Sequence, residues 1–342
     1  MSSAASIQPV LSAETLVDVQ NLSKRFPVAW DFFGRPSRFV SAVDDVSLTI
    51  RKGETLALVG ESGSGKSTLA RLVMRLAHVT SGSVTFQGKD IIKMPGKELR
   101  TFREKAQMIF QDPYESLDPR FTAARVVAEG MSHLSLSSEE KKSRIAEVLN
   151  LVHLPSDAAQ RFPHEFSGGQ RQRVSIARAL AVNPSFIVAD EPVSALDVSM
   201  QSQILNLMRE LQDRLGLTYL FISHDMSVVR HMADRVAVMY LGRVVEIAPA
   251  EELFSNPLHP YTQALLSSVP TLLKGRPGQR IAIPGEASVV DDRPNCRFAN
   301  RCFRSLERCR SEKPILTGVL RHPDHWVACF NSAPLLDDGA VA

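Results

Sequence analysis

The chain has 342 residues, a formal charge of +3, 44% hydrophobic and 23% charged residues. That length allows two or three domains at roughly 100–200 residues each, and so small a charge makes no demand for nucleic acid as a partner. No apolar stretch approaches the ~18 residues that span a bilayer, and the N-terminal MSSAASIQPVLSAETLV lacks the charged-then-apolar order of a secretory leader; the expectation is a cytoplasmic chain whose four cysteines are reduced or metal-bound.

Residues 1–14 are small and polar and are expected to be disordered. Strand-like runs follow at TLVDVQNL and VDDVSLTI, separated by PVAWDFFGRPSRF, which reads as a loop. The alternation of Val46, Leu48 and Ile50 suits a half-buried antiparallel strand. TLALVG is a continuous apolar run, as expected of a strand covered on both faces, and FIVADEP (Phe186 to Pro192) and TYLFISHD (Thr218 to Asp225) repeat the pattern. Between those two, Ile204, Met208, Leu211 and Leu215 form the stripe of an amphipathic helix. Residues 120–183 read as mostly helical, a separate lobe. Alternating strands and helices imply a largely parallel sheet flanked by helices. After Pro257 prolines become frequent, and all four cysteines fall between 296 and 329.

Directly after TLALV stands GESGSGKS, residues 60–67, with Gly60, Gly65, Lys66 and Ser67 in G-x-x-x-x-G-K-S spacing. Glycines let the backbone curl so that several N–H groups face one concavity, and the following helix adds its N-terminal N–H groups and dipole. Lys66 can reach the β- and γ-phosphates while the Ser67 hydroxyl ligates Mg²⁺. The competing reading is a glycine-rich turn, but the strand–loop–helix context required of the phosphate site is present. FIVADE ends in Asp190 and Glu191 at a strand terminus; Asp190 would hold Mg²⁺ through water and Glu191 would polarise the water attacking the γ-phosphate. In FSGGQRQR, Ser167, Gly168 and Gly169 open a helix and offer a hydroxyl and bare N–H groups to a second phosphate.

With these motifs the sequence resembles the ATP-binding-cassette (ABC) family, in which that serine–glycine signature closes on ATP held by another subunit. Phe166 stands where the family usually has leucine. The resemblance implies an α/β fold, a P-loop NTPase ABC cassette with a mixed sheet core, an antiparallel β subdomain and a helical subdomain, plus a small Cys-containing C-terminal domain. It places Phe26 on adenine, Gln111 at Mg²⁺ and the attacking water, Ser194 to Asp197 at the subunit contact, and His224 on the γ-phosphate. ATP and Mg²⁺ are then bound by Phe26, Gly60, Glu61, Ser62, Gly63, Ser64, Gly65, Lys66, Ser67 and Thr68 and by the signature Ser167, Gly168, Gly169 and Gln170 with Asp197. Mg²⁺ falls to Ser67, Gln111 and Asp190, and catalysis to Glu191, His224, Gln111 and Lys66. The corresponding boundaries are 15–255 for the nucleotide-binding domain, with its helical part at about 115–183, and 256–335 for the C-terminal domain.

NPLHPYTQALLSSVP (256–270), FQDPYESLDPR and HEFSGGQRQR are similar to oligopeptide/dipeptide importers, nearest the F-type member of their paired ATPases. That implies a peripheral protein on the cytoplasmic face of the inner membrane, paired with a D-type ATPase under two membrane permease subunits, supplied by an extracytoplasmic binding protein, with no nucleic acid. Gln111 and Tyr114–Arg120 would form the groove that receives a helix of the membrane subunit. A soluble ABC ATPase of DNA repair or of the ribosome is the alternative, as is an exporter; the chain carries no heptad run, second cassette or membrane span to favour them.

Cys296, Cys302, Cys309 and Cys329 are spaced C-x5-C-x6-C-x19-C, without the knuckles usual in zinc sites or the spacing of ferredoxins. Arginines 297, 301, 304, 308 and 310 interleave with them, and positive charge favours thiolates. The family resemblance implies a 4Fe-4S cluster on all four; unligated cysteines, or zinc with His322 or His325, stay open.

Overall fold

The computed structural model describes residues 14–112, 116–268, 281–285, 294–320 and 322–333. The expectations placed on residues 1–13, on Tyr114, on Val269 and Pro270 and on the chain past 333 lie outside the described residues. Glu14 is tied in: its carbonyl accepts from Lys52 N at 2.8 Å and its carboxylate from Lys52 Nζ at 3.0 Å.

Strands β1 (Thr15–Trp30) and β2 (Pro36–Arg51) pair antiparallel, and β4 (Ser81–Phe86) and β5 (Lys89–Asp90) lie on the other side of β1 in a four-stranded sheet. Val46, Leu48 and Ile50 point into the core, as their alternation requires. The segment expected as a loop, residues 27–39, is instead mostly strand: pairing continues through Pro27↔Phe39 to Trp30↔Pro36, leaving a turn over residues 31–35. Two local features close it. The Asp31 carboxylate accepts from the N–H groups of Phe33 (2.9 Å) and Arg35 (2.8 Å), and Gly34 takes φ 72°. The prolines are tolerated because Pro36 opens an edge strand and Pro27 lies beyond the last β1–β4 pair, Ser23↔Ser81.

The second sheet takes β3 (Thr55–Val59), β6 (Ala106–Ile109), β7 (Phe186–Asp190), β8 (Thr218–Ser223), β9 (Arg235–Tyr240), β10 (Arg243–Pro249), β11 (Thr317–Val319) and β12 (His322–Val327) in the order β11-β12-β10-β9-β3-β8-β7-β6. Neighbours from β9 to β6 are parallel. Every residue of β3, β7, β8 and β9 is buried, which explains why those runs read as unbroken apolar stretches. Helix α1 (Lys66–Val73) leaves β3, and α2 (Gly96–Lys105) enters β6. The helical region holds α3 (Ala123–Gly130), α4 (Ser138–Leu151) and α5 (Gly168–Leu180). Helix α6 (Val198–Leu215) joins β7 to β8, and α7 (Met226–Met232), α8 (Ala250–Ser255) and α9 (Pro260–Ser267) follow. Of the α6 stripe, Ile204, Met208 and Leu211 are buried but Leu215 is 44% exposed; it is the last helical residue, and the left-handed Gly216 cap (φ 65°) turns the chain away there. Among the described residues no helix is long and apolar enough to cross a membrane.

The C-terminal segment is continuous with the large sheet, since β12 pairs with β10 at Glu246↔Val327 and Ile247↔Trp326. Buried polar contacts stitch it down. The fully buried Glu246 carboxylate meets His325 Nε2 at 2.8 Å and accepts from the N–H groups of Leu258 (2.8 Å) and His259 (3.0 Å). Asp44, on β2, accepts from Arg243 Nε (2.7 Å) and Arg297 (2.8 Å).

Candidate active site

The loop at residues 60–65 carries β3 into α1, and its glycines have two distinct reasons. Gly60 (φ 153°) and Gly65 (φ 102°) are pressed against other backbone: a Cβ there would lie 2.1 Å from Met239 O and 2.1 Å from Ala42 O respectively. Gly63 (φ 76°) faces open space and needs only the left-handed conformation. Thus two glycines read from sequence as phosphate-loop positions also serve close packing against β9 and β2. Ser62 and Gly63 are exposed, Ser64 is buried, and Ser67 and Thr68 are half-buried. Lys66, 5% exposed, folds back on the loop: Nζ donates to Gly60 O (2.7 Å) and Glu61 O (3.0 Å). Burial pushes its pKa down, and the charges of Glu191, Asp190 and Glu61 oppose that shift.

The acids arrive from the end of β7, which β8 separates from β3 in the sheet. Asp190, the last residue of β7, accepts from Ser67 Oγ at 3.0 Å. Burial raises its pKa, the Ser67 hydrogen bond pulls the other way, and the Glu191 charge adds to the rise. Glu191 sits in the left-handed region at φ 48°, uncommon for a residue with a side chain, with its N–H donating to Ile222 O. That bend turns its carboxylate toward Gln111 and His224: Oε2 accepts from Gln111 Nε2 at 3.2 Å and lies 3.0 Å from His224 Nδ1. A small cleft lined by Glu191, Ser194, Gln201, Ser223 and His224 opens beside it. The fold therefore brings Lys66, Ser67, Asp190, Glu191, Gln111 and His224 to the C-terminal ends of β3, β7, β6 and β8, where ligands bind in open α/β sheets. Ser67 and Asp190 present two oxygens side by side, a donor set that could serve Mg²⁺, which takes one or two protein oxygens when phosphates and water complete its shell.

Two predicted groups stand apart from that cluster. Phe26 is on β1, 42% exposed, with Lys24 Nζ 4.9 Å from its ring centroid, so the ring is open to stacking. Ser167 caps α5, accepting from Gln170 N while Gln170 returns a bond to Ser167 N. The neighbours of Gly168 and Gly169 come from the segment around Asp197: added Cβ atoms would lie 3.3 Å from Leu196 and 2.0 Å from Met200 Cε. Asp197 is exposed and caps α6 through Met200 N at 2.9 Å. The segment around Ser167 and the one around Asp197 thus form one packed unit.

The cysteines depart from the sequence reading. All four are free, and they gather closely enough for Cys296, Cys302 and Cys309 each to raise the Cys329 pKa. Yet among the described residues no three His, Cys, Asp or Glu side chains are arranged to hold a metal ion. The arginines do not create thiolates: burial pushes Cys296 and Cys329 up to about 11 and also raises Cys302. Arg297 binds Asp44, Arg301 binds Glu61 and Arg308 binds Glu312, so much of their charge is already matched. Of the histidines in the zinc alternative, His322 turns to Glu252 and His325 to Glu246. The sequence reading missed Arg301 and Tyr261, which both reach Glu61; no local pattern could reveal contacts made across 200 or more positions.

A glycine-rich phosphate loop feeding a helix, a strand-end Asp–Glu pair, and a glutamine and histidine on the same carboxylate define a P-loop ATPase of the cassette type. Residues 43–194 match the family model described as ABC transporter, and residues 245–309 that described as oligopeptide/dipeptide transporter, C-terminal region. The chain is 48% identical over 321 residues to an oligopeptide transport ATP-binding protein, AppF, of Bacillus subtilis, covering 92% of this chain and 97% of that one. It is 54% identical over 260 residues to the same organism's OppF, also an oligopeptide transport ATP-binding protein, covering 75% and 83%. Among solved structures, a subunit of a Clostridium perfringens ABC transporter complex superposes with TM-score 0.61 at 28% identity over 70% of this chain and 91% of its own. A dimeric ATP-binding cassette bound to ADP and phosphate does so with TM-score 0.61 at 31% identity, over 69% and 99%. The chain belongs to the family of oligopeptide/dipeptide ABC transporter ATP-binding proteins.

Proposed function

We propose that this chain binds and hydrolyses ATP to power import of di- or oligopeptides, or related small solutes, through an ABC transporter. One observation carries the ATPase half: the Glu191 carboxylate is held by Gln111 and His224 beside Lys66, Ser67 and Asp190. The C-terminal match and the relatives' names support the transport half. Glu191 takes the proton of the attacking water, Gln111 and His224 orient that carboxylate, and His224 reaches the γ-phosphate. Lys66 exchanges its bonds to the loop carbonyls for phosphate oxygens, and Phe26 stacks on adenine. Phosphoryl transfer needs this positioning and charge stabilisation more than covalent chemistry. Ser67, Asp190 and Gln111 would hold Mg²⁺, which would supply positive charge at the phosphates.

Ser167, Gly168, Gly169 and Gln170 serve ATP held by a second ATPase subunit, with Asp197 at the contact between the two. In this reading residues 15–255 are the nucleotide-binding domain, with the helical part at about 115–183, and the remainder to 335 is C-terminal domain. Two permease subunits anchor the pair at the cytoplasmic face of the inner membrane, and an extracytoplasmic binding protein delivers substrate. MgATP hydrolysis by the reconstituted assembly, stimulated by peptide-loaded binding protein, is the expected result; hydrolysis indifferent to both would sink the transport reading.

The four cysteines are proposed to ligate an iron–sulfur cluster, supported by their gathering in one place and by N–H···S bonds from Arg304 to Cys302 and Asn331 to Cys329, both 3.4 Å. Ligation requires the side chains to draw together and lose their protons. Protein purified without oxygen should carry iron and visible absorbance, both lost in Cys302→Ser; colourless, iron-free protein leaves four plain thiols.

A further inference from the structure

The phosphate loop is gripped from a part of the chain that carries none of the nucleotide motifs. Glu61, the residue after Gly60, is held through three groups. Its N–H donates to Tyr261 Oη at 2.8 Å, its carbonyl accepts from Lys66 Nζ at 3.0 Å, and its carboxylate accepts from Arg301 at 2.9 and 3.5 Å. Neither outside partner is a loose surface contact. Tyr261 is fully buried, its ring packed against Tyr240 and Phe298 with centroids 4.6 and 5.4 Å away. Arg301 is 13% exposed, and its guanidinium is saturated: Nε donates to Pro284 O (3.1 Å), Nη1 to Glu61 Oε2 and Tyr240 Oη (3.1 Å), and Nη2 to Glu61 Oε1 and Gly285 O (3.1 Å). Five donors meet five acceptors, so the head group has one orientation.

We infer that Arg301 and Tyr261 are positioning residues for the phosphate loop, fixing Glu61 from the C-terminal segment and thereby setting nucleotide affinity. This rests on the ATPase reading above and extends it to residues outside the cassette motifs. The physical need is plain. Gly60, Gly63 and Gly65 all have positive φ, and glycine-rich backbone loses more freedom on ordering than any other. A loop whose N–H groups must converge on phosphate binds weakly unless something else orders it first. Gly60 and Gly65 are pinned by backbone contact, whereas the stretch between them is exposed at Ser62 and Gly63; Glu61 is where the C-terminal segment takes hold. Arg301 directly precedes Cys302, so this contact links the thiol-bearing segment to the phosphate loop.

The test uses the full chain in its assembled transporter, with MgATP as the probe. Arg301→Ala should raise the KM and the equilibrium Kd for MgATP about tenfold, the effect of ~1.4 kcal/mol, with kcat retained and some fall in the thermal midpoint from the lost hydrogen bonds. Tyr261→Phe, which removes only the hydroxyl, should weaken affinity less, and Arg301→Lys should recover part of the loss. Combined with Glu61→Gln, Arg301→Ala should add little, because both remove the same contact. Unchanged affinity in both Arg301→Ala and Tyr261→Phe would overturn the inference, as would a fall in kcat and thermal midpoint at constant KM. A wild-type assembly that binds no MgATP would overturn the ATPase reading itself, a distinguishable failure.

Discussion

His224 Nδ1 lies 3.0 Å from Glu191 Oε2, joining the ends of two adjacent parallel strands through one carboxylate oxygen. Gln111, from the end of the next strand, donates to the same atom. A carboxylate held through one oxygen has the direction of its other oxygen fixed as well, and that orientation is what a general base requires. Glu191→Gln keeps the shape and loses the basicity. ATP hydrolysis by the assembled protein should fall by about 10²-fold or more while equilibrium MgATP binding persists; near wild-type turnover would remove Glu191 from the role of base.

The phosphate-loop glycines should not be equivalent. Gly60→Ala sets a Cβ 2.1 Å from Met239 O at positive φ, and neither backbone can yield cheaply. A loss of about 3 kcal/mol is expected in denaturant midpoint analysis. Gly63→Ala meets open space and should cost only about 1–2 kcal/mol, the left-handed penalty alone. Equal losses at the two positions would contradict the packing argument.

His259 makes stability depend on acidity. It is buried, and burial lowers its pKa from 6.5 to about 4, against the opposing Glu246 charge. The unfolded chain therefore takes up a proton below pH 6.5 that the folded one refuses until about pH 4. The contribution is complete above 6.5 and is lost as pH falls toward 4, on the order of 3 kcal/mol at most. His259→Asn preserves an acceptor for Tyr261 N, which His259 Nδ1 now serves at 3.1 Å, and should flatten that part of the stability–pH curve. A variant with the wild-type acid slope would assign the effect to other groups.

Asp44 should report on attachment of the C-terminal segment. Burial alone raises its pKa, but Arg243's hydrogen bond and the charges of Arg297 and Arg243 bring it below the ordinary value. Asp44→Ala leaves two largely buried guanidiniums, 13% and 3% exposed, without their shared carboxylate. A loss of about 3 kcal/mol is expected, together with faster proteolysis of the cysteine-bearing segment. Unaltered protease resistance would show that β12 and α9 alone suffice to hold it.

The phosphate loop, the Asp190–Glu191 pair and the buried parallel strands were legible because each is local: a turn, a strand end or an apolar run declares itself within eight or so residues. The same locality misled at residues 27–39, where two prolines and a glycine suggested a loop; cross-strand pairing, invisible to composition, carries the hairpin to Trp30. It misled again at the cysteines. Charge counted along the chain promised thiolates, but burial outweighs it, and Arg297 and Arg301 face carboxylates distant in sequence, Asp44 and Glu61.

By itself, then, the order of residues determined which chemistry is present, since a nucleotide site is assembled from short segments whose side chains and backbone angles are intrinsic to them. Tertiary structure alone decided what those segments lean on: the backbone of Met239 and Ala42 against the glycines, and Arg301 and Tyr261 on Glu61. Contacts between residues some 200 positions apart cost only the closure of the chain, which the shared core provides. They leave no periodicity or spacing in the sequence by which to be read.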